Sequence, residues 1–157
     1  MKRILPLMIF LLLFGVESAA PCFGPKLYLG VPDGARFRVL AELAVIYIKE
    51  KTGVETVRTS LASETAVAGV RGATLDLALS ATVAEDLTLL LAAPGGPFLL
   101  SGPRVLTDLQ FSTVPAALKK LGGLLNENFF AELTAEVEGG AEPAAVVGRA
   151  LREKRWI

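Results

Sequence analysis

The chemistry open to this chain is set first by what it lacks. It carries 16 Asp and Glu, 16 Lys and Arg, one Cys and no His. Without histidine there is no Ser-His-Asp or Cys-His nucleophile pair and no His-bearing zinc site, and a lone cysteine can neither close an internal disulfide nor build a thiolate cage. Carboxylates remain as acid or base groups, but no spacing brings two of them together, so the expectation is a non-enzymatic protein with no cofactor and no metal. The residues best placed to meet a ligand are Pro32, Asp33, Gly34, Ser60, Ser80 and Thr82, each at or just after the end of a short apolar run. All six also suit humbler roles. Asp33 and Gly34 can shape a turn and begin a helix, Ser60 can do the same, and Ser80 or Thr82 can cap whatever follows.

Two charged runs call for the same weighing. Glu132, Glu136, Glu138 and Glu142 lack the alternating ligand spacing and central glycine of a calcium loop, and read as a solvated helix face. Arg149, Arg152, Lys154 and Arg155 beside Trp156 make a basic end that could touch phospholipid headgroups or a protein. Cations are equally favoured in the last turn of a helix by its dipole. The formal net charge is zero, which gives no overall field to steer the chain onto nucleic acid.

The segments before the six residues give them their meaning. Lys26 to Val31 reads as a strand that ends in the turn Pro32-Asp33-Gly34. From Arg36 to Lys51, Phe37, Leu40, Ala44 and Tyr47 fall on one helical face and Arg38, Glu42 and Lys49 on the opposite stripe. Thr52-Gly53 stops that helix. Val54 to Thr59 is a second strand, Ser63 to Arg71 a helix closed by Gly72, and Leu75 to Leu79 a third strand. This βαβαβ succession implies a mainly parallel, open α/β sheet, whose ligands meet the crevice beyond the carboxyl ends of the strands.

Beyond Thr82 the pattern reads as a Leu-rich helix from Val83 to Ala93, a break at Pro94-Gly-Gly-Pro97, and a returning strand within Phe98 to Leu106, interrupted at Gly102-Pro103. Helices follow: Pro115 to Leu121 ending at Gly122-Gly123, one capped by Asn126 with Phe129, Phe130, Leu133 and Val137 on one face, and a last one opened by Pro143. Ahead of all this, Lys2 and Arg3, the apolar run Ile4 to Val16, and Ser18-Ala19-Ala20 have the order of a secretory signal, which places residues 1–20 as a leader, 21–25 as a flexible segment and the mature chain outside the cytoplasm, periplasmic. The thirteen apolar residues are short of the roughly 20 that span a membrane. A lipid anchor on Cys22 is the alternative, although Pro21 and Ala19 stand where a small residue and a leucine-like one are wanted.

Lys26-Leu-Tyr-Leu-Gly-Val-Pro-Asp-Gly34 with the helix from Arg36, Val70-Arg-Gly-Ala-Thr-Leu-Asp-Leu-Ala78, and the tail stretches Leu118-Lys-Lys-Leu-Gly-Gly, Leu125 to Leu133 and Val137 to Val146 resemble the first lobe and closing helices of periplasmic substrate-binding proteins of ATP-driven importers, within them the glycine betaine, choline and osmoprotectant group. The resemblance spans most of residues 26–156 and implies a single substrate-binding-type lobe. Its second lobe would be inserted between the third strand and the tail, yet Thr82 to Leu106 is too short for a domain, which typically needs about 50 residues or more. The family holds a quaternary ammonium in an aromatic cage; Tyr28, Tyr47 and Trp156 are not placed at a strand end, and both tyrosines read as core packing. Two expectations follow. One is a solute-binding-like module that holds a small solute weakly or meets an importer's permease. The other is an interaction or structural protein whose former cleft face pairs with a second copy or another partner.

Overall fold

Residues 24–157 are described by a computed structural model; the leader assigned to residues 1–20 and the anchor considered at Cys22 lie outside the described residues. The first strand, β1 (Lys26–Val31), sends Leu27, Leu29 and Val31 to one face and Tyr28 and Gly30 to the other, as a pleated strand must. Helix α1 (Ala35–Thr52) follows and stops at Gly53, whose φ of 74° lets its N–H turn back 2.9 Å to the Lys49 carbonyl. Next come β2 (Glu55–Ser60), α2 (Ser63–Arg71), β3 (Leu77–Ser80), β4 (Thr88–Ala92) and β5 (Phe98–Ser101). The tail is helical: α3 (Pro103–Thr107), a 3-10 turn at Leu109–Phe111, α4 (Val114–Leu124), α5 (Glu127–Glu138) and α6 (Pro143–Glu153).

The five strands form one sheet in the order β2-β1-β3-β5-β4. β1 lies between β2 and β3 and is parallel to both, with Val31 beside Ser60 and Leu29 beside Leu77, so the βαβαβ core is present. The sheet as a whole is mixed rather than mainly parallel, because β5 runs antiparallel to β3 and β4 antiparallel to β5. The cause is the segment read as a Leu-rich helix. Thr88–Ala92 is a strand, and the turn Pro94–Pro97 folds it back on Phe98–Ser101 as a hairpin. Leu91 thereby reaches the core beside Leu99, a burial that outweighs the weak helix preference of leucine. The returning strand ends at Ser101, and Pro103, lacking an N–H to lose, opens α3. Glycine does not end α4, which runs through Gly122 and Gly123 to Leu124.

One face of the sheet carries the main core. Leu27, Leu29, Leu77, Leu79 and Leu99 lie under α1, α4, α5 and α6, which contribute Leu40, Tyr47, Leu121, Phe130 and Leu151. Over the other face α2 sets Ala66, Val67 and Val70 against Ala78 and Leu100. That approach is close enough to demand glycine at position 30: a Cβ there would sit 2.6 Å from the Ala66 Cβ. Tyr28, on this thinly covered face, is 43% exposed and not the core residue the sequence suggested. Asp76, just before β3, is 5% exposed; its carboxylate accepts the Tyr28 N–H at 2.8 Å and pairs with Arg104 at 2.8 and 3.0 Å. Asn126 caps α5 by accepting the Phe129 N–H, and Pro143 stands in the first turn of α6 as its sequence position implied.

Candidate functional site

At the carboxyl ends of β1 and β2, where Val31 and Ser60 are neighbours, the chain leaves a groove of about 370 Å³. The floor is Val31, Pro32 and Ala41. Its polar walls are Asp33 from the loop after β1, Arg38 and Glu42 from α1, Arg58 and Ser60 from β2, and Glu142 from the start of α6. A second groove of about 380 Å³ lies at the end of β3, between Ser80, Thr82 and Val83 on one side and Ser63, Glu64 and Arg71 of α2 on the other.

The six residues nominated by position are therefore divided. Pro32, Asp33 and Ser60 line the first groove, Ser80 and Thr82 the second, and Gly34 lines neither. Gly34 is the residue before α1, with φ 123°, a backbone region that a side chain would strain; no side chain caps the helix there. Ser80 caps no helix either. Its Oγ accepts the Thr82 N–H at 3.2 Å and closes a local turn before β4.

Four charged residues of the first groove, Arg38, Glu42, Arg58 and Glu142, are not among those the sequence nominates; three of them read there as solvated helix positions. Glu42 falls on the helix stripe assigned to solvent, but it is only 8% exposed because Arg58 reaches up from β2 and pairs with it. A stripe set by the helix period alone cannot anticipate a long arginine from a neighbouring strand. Arg38 stands one turn into α1 on the groove side. Glu142 lies over 100 residues away in sequence and arrives as the cap of α6, its Oε2 accepting the Ala145 N–H at 2.7 Å. Three carboxylates and two guanidiniums thus meet a hydroxyl in one open groove. That set can bind charged and hydrogen-bonding groups. It holds no aromatic face.

The second groove is governed by one ion pair. Arg71 donates from Nε and Nη2 to both carboxylate oxygens of Asp86, each at 2.7 Å, a fork-to-fork contact. The hydrogen bond from Arg71 holds the Asp86 carboxyl below the ordinary aspartate value, and the same contact raises the Arg71 guanidinium. Arg71, among the described residues the one cation lining that groove, is thus committed to Asp86 outside it, which leaves the Ser80, Thr82 and Ser63 hydroxyls and Glu64 as the groove's remaining polar side chains.

At the chain's end, Arg149 pairs with Glu136 at 2.5 Å, while Trp156 packs on Phe129 with ring centroids 4.9 Å apart and Lys154 lies over the same ring at 6.0 Å. Much of the basic run is thus engaged within the fold. Among the described residues no group of three or more His, Cys, Asp or Glu is arranged to hold a metal ion, and no helix is long and apolar enough to cross a membrane. Comparison of the chain with protein-family models, with curated proteins and with solved structures finds no match to any of them.

Proposed function

We propose that the chain is an exported, non-enzymatic, solute-binding-like module related to the osmoprotectant-type substrate-binding proteins of ATP-driven importers. The observation that carries the reading is the charged groove at the carboxyl ends of β1 and β2, the place where open α/β sheets present ligands. The parallel β2-β1-β3 core and the tail helices packed back on the same sheet accord with the resemblance. Well-bound small molecules have about 70–90% of their surface enclosed, and a groove on a lone lobe leaves its occupant open to water on one side. Glycine betaine or choline should therefore bind no tighter than about millimolar, near −4 kcal/mol. Calorimetry on the purified protein, with light scattering to establish its mass, tests this, and failure to bind any small solute would overturn it.

A second reading is favoured by one observation. Where the resemblance would insert a second lobe, between β3 and the tail helices, the chain makes only the short β4–β5 hairpin. Among the described residues the strand-end face then has no opposing half, and a second copy, a permease or another partner could cover it. A dimer that buries this face would support that reading, and micromolar solute binding by a monomer would overturn it. Export has its own test: the intact mass of the natively expressed protein should begin between Ala19 and Cys22, and an added diacylglyceryl group on Cys22 would mark the lipid-anchored form.

A further inference from the structure

We infer that the groove beyond β1 and β2 is built for a small zwitterion bearing a primary ammonium, of which an α-amino acid is the simplest, and that it disfavours a quaternary one. This rests on the reading of that groove as a ligand site and names the ligand class. The argument is a count of which charges are already committed. Glu42 and Arg58 are paired with each other, and Glu142 gives Oε2 to the cap of α6. Among the described residues the Asp33 carboxylate, the Arg38 guanidinium and Glu142 Oε1 have no hydrogen-bond partner, and all three residues line the groove. Free charges of both signs therefore face one space.

An ammonium with its N–H bonds intact can donate to Asp33 and to Glu142 Oε1, and charge-assisted bonds of this kind are roughly twice as strong as neutral ones. A carboxylate on the same small molecule suits the planar fork of Arg38, with the Ser60 hydroxyl beside it. A trimethylated nitrogen has no hydrogen to donate. It would desolvate Asp33 without replacing the water it displaced, and it is held well only over aromatic faces. Among the described residues no aromatic side chain lines the groove: Tyr28 lies on the opposite face of the sheet, Tyr47 is fully buried, Trp156 is tilted against Phe129, and Phe37 lines a separate hollow beside Arg36 and Gly96. The groove has ample room for an amino acid, and its openness sets the affinity in the weak range.

Glycine and N,N,N-trimethylglycine differ only at the nitrogen, so a ¹⁵N-detected titration of the purified protein with each isolates the ammonium. Glycine should shift the amides around Val31–Asp33, Arg38 and Ser60 saturably, with an affinity about tenfold above that of trimethylglycine, or about 1.4 kcal/mol. Asp33→Asn should weaken glycine far more than trimethylglycine and close most of the gap between them, whereas Arg38→Gln should weaken both alike; an unaltered spectrum elsewhere shows that each variant is folded. Equal or tighter binding of trimethylglycine in the groove would overturn this inference while keeping the solute-binding reading. Equal weakening of both ligands by Asp33→Asn, or glycine shifts confined to another surface, would also overturn it. No saturable shift from either compound would overturn the inference and the solute-binding reading together.

Discussion

Replacing Asp76 with alanine tests how the sheet is locked together. The carboxylate does two jobs: it accepts the Tyr28 N–H at 2.8 Å, completing the pairing of β1 with β3, and it anchors Arg104 of α3 at 2.8 and 3.0 Å. Alanine leaves the Tyr28 N–H without its acceptor, and an unpaired buried donor costs about 1–3 kcal/mol. Loss of a fully buried ion pair would add about 3–5 kcal/mol. Here the second figure must be cut, because the Arg104 side chain is 45% exposed and can return to water. The expected loss is about 2–4 kcal/mol, a large part of the roughly 5–15 kcal/mol that holds a domain together. Urea unfolding followed by circular dichroism should show a lower midpoint at unchanged slope, and the melting temperature should fall by about 10 °C. Arg104→Gln keeps the acceptor of Tyr28 but leaves the buried Asp76 carboxylate without its counter-ion, and should cost about 1–3 kcal/mol. A stability for Asp76→Ala within about 0.5 kcal/mol of the wild type would refute the assignment of the carboxylate as the shared anchor.

Arg36 should prove to hold the β4–β5 turn: its Nη2 donates to the Pro94 and Gly96 carbonyls at 2.7 and 2.6 Å while its guanidinium lies 4.9 Å from the Phe130 ring centroid. Arg36→Met is expected to cost about 1.5–3 kcal/mol and to speed amide exchange at Ala93, Gly95 and Gly96 ahead of the rest of the sheet. The Asp86 carboxyl should titrate below the ordinary aspartate range by carbon-detected NMR, and Arg71→Gln should return it upward. Because its folded value is the depressed one, the Arg71 pair contributes fully at pH above the unfolded aspartate value and is lost as pH falls through the folded one; Arg71→Gln should therefore lower stability slightly at neutral pH, leave the acid end unchanged, and so flatten the acid limb of a stability profile.

What could be read from sequence was what nearby residues decide. β1, α1 and α2 fall within a residue or two of their expected limits because Pro32-Asp33-Gly34, Gly53 and Gly72 act within one turn of chain. The Asn126 cap and Pro143 are local in the same sense. Thr88–Ala92 was misread because three consecutive leucines have no strand or helix period of their own, and only the partner strand Phe98–Ser101 settles the matter. The Pro-Gly-Gly-Pro stop between two apolar runs was the hairpin signal available. The candidate groove was half visible. Topology pointed to Pro32, Asp33 and Ser60, but the uncommitted charge of Arg38 and the arrival of Glu142 depend on how α1 and α6 pack, which no local pattern encodes.

The sheet also sets an order in which the chain can find itself. The β4–β5 hairpin closes over the short turn Pro94–Pro97, whereas the bond that joins β1 to the start of β3, from Tyr28 to Asp76, spans 48 residues. Closing the longer loop sacrifices more chain entropy before any contact rewards it, so the hairpin is expected to be an early event and the β1–β3 seam a late one. Interactions absent from the folding transition state govern how fast a protein comes apart rather than how fast it forms. The Tyr28–Asp76–Arg104 lock, buried at that seam, would then act as a brake on unfolding, and its strength would be felt in the lifetime of the folded chain more than in the time taken to reach it.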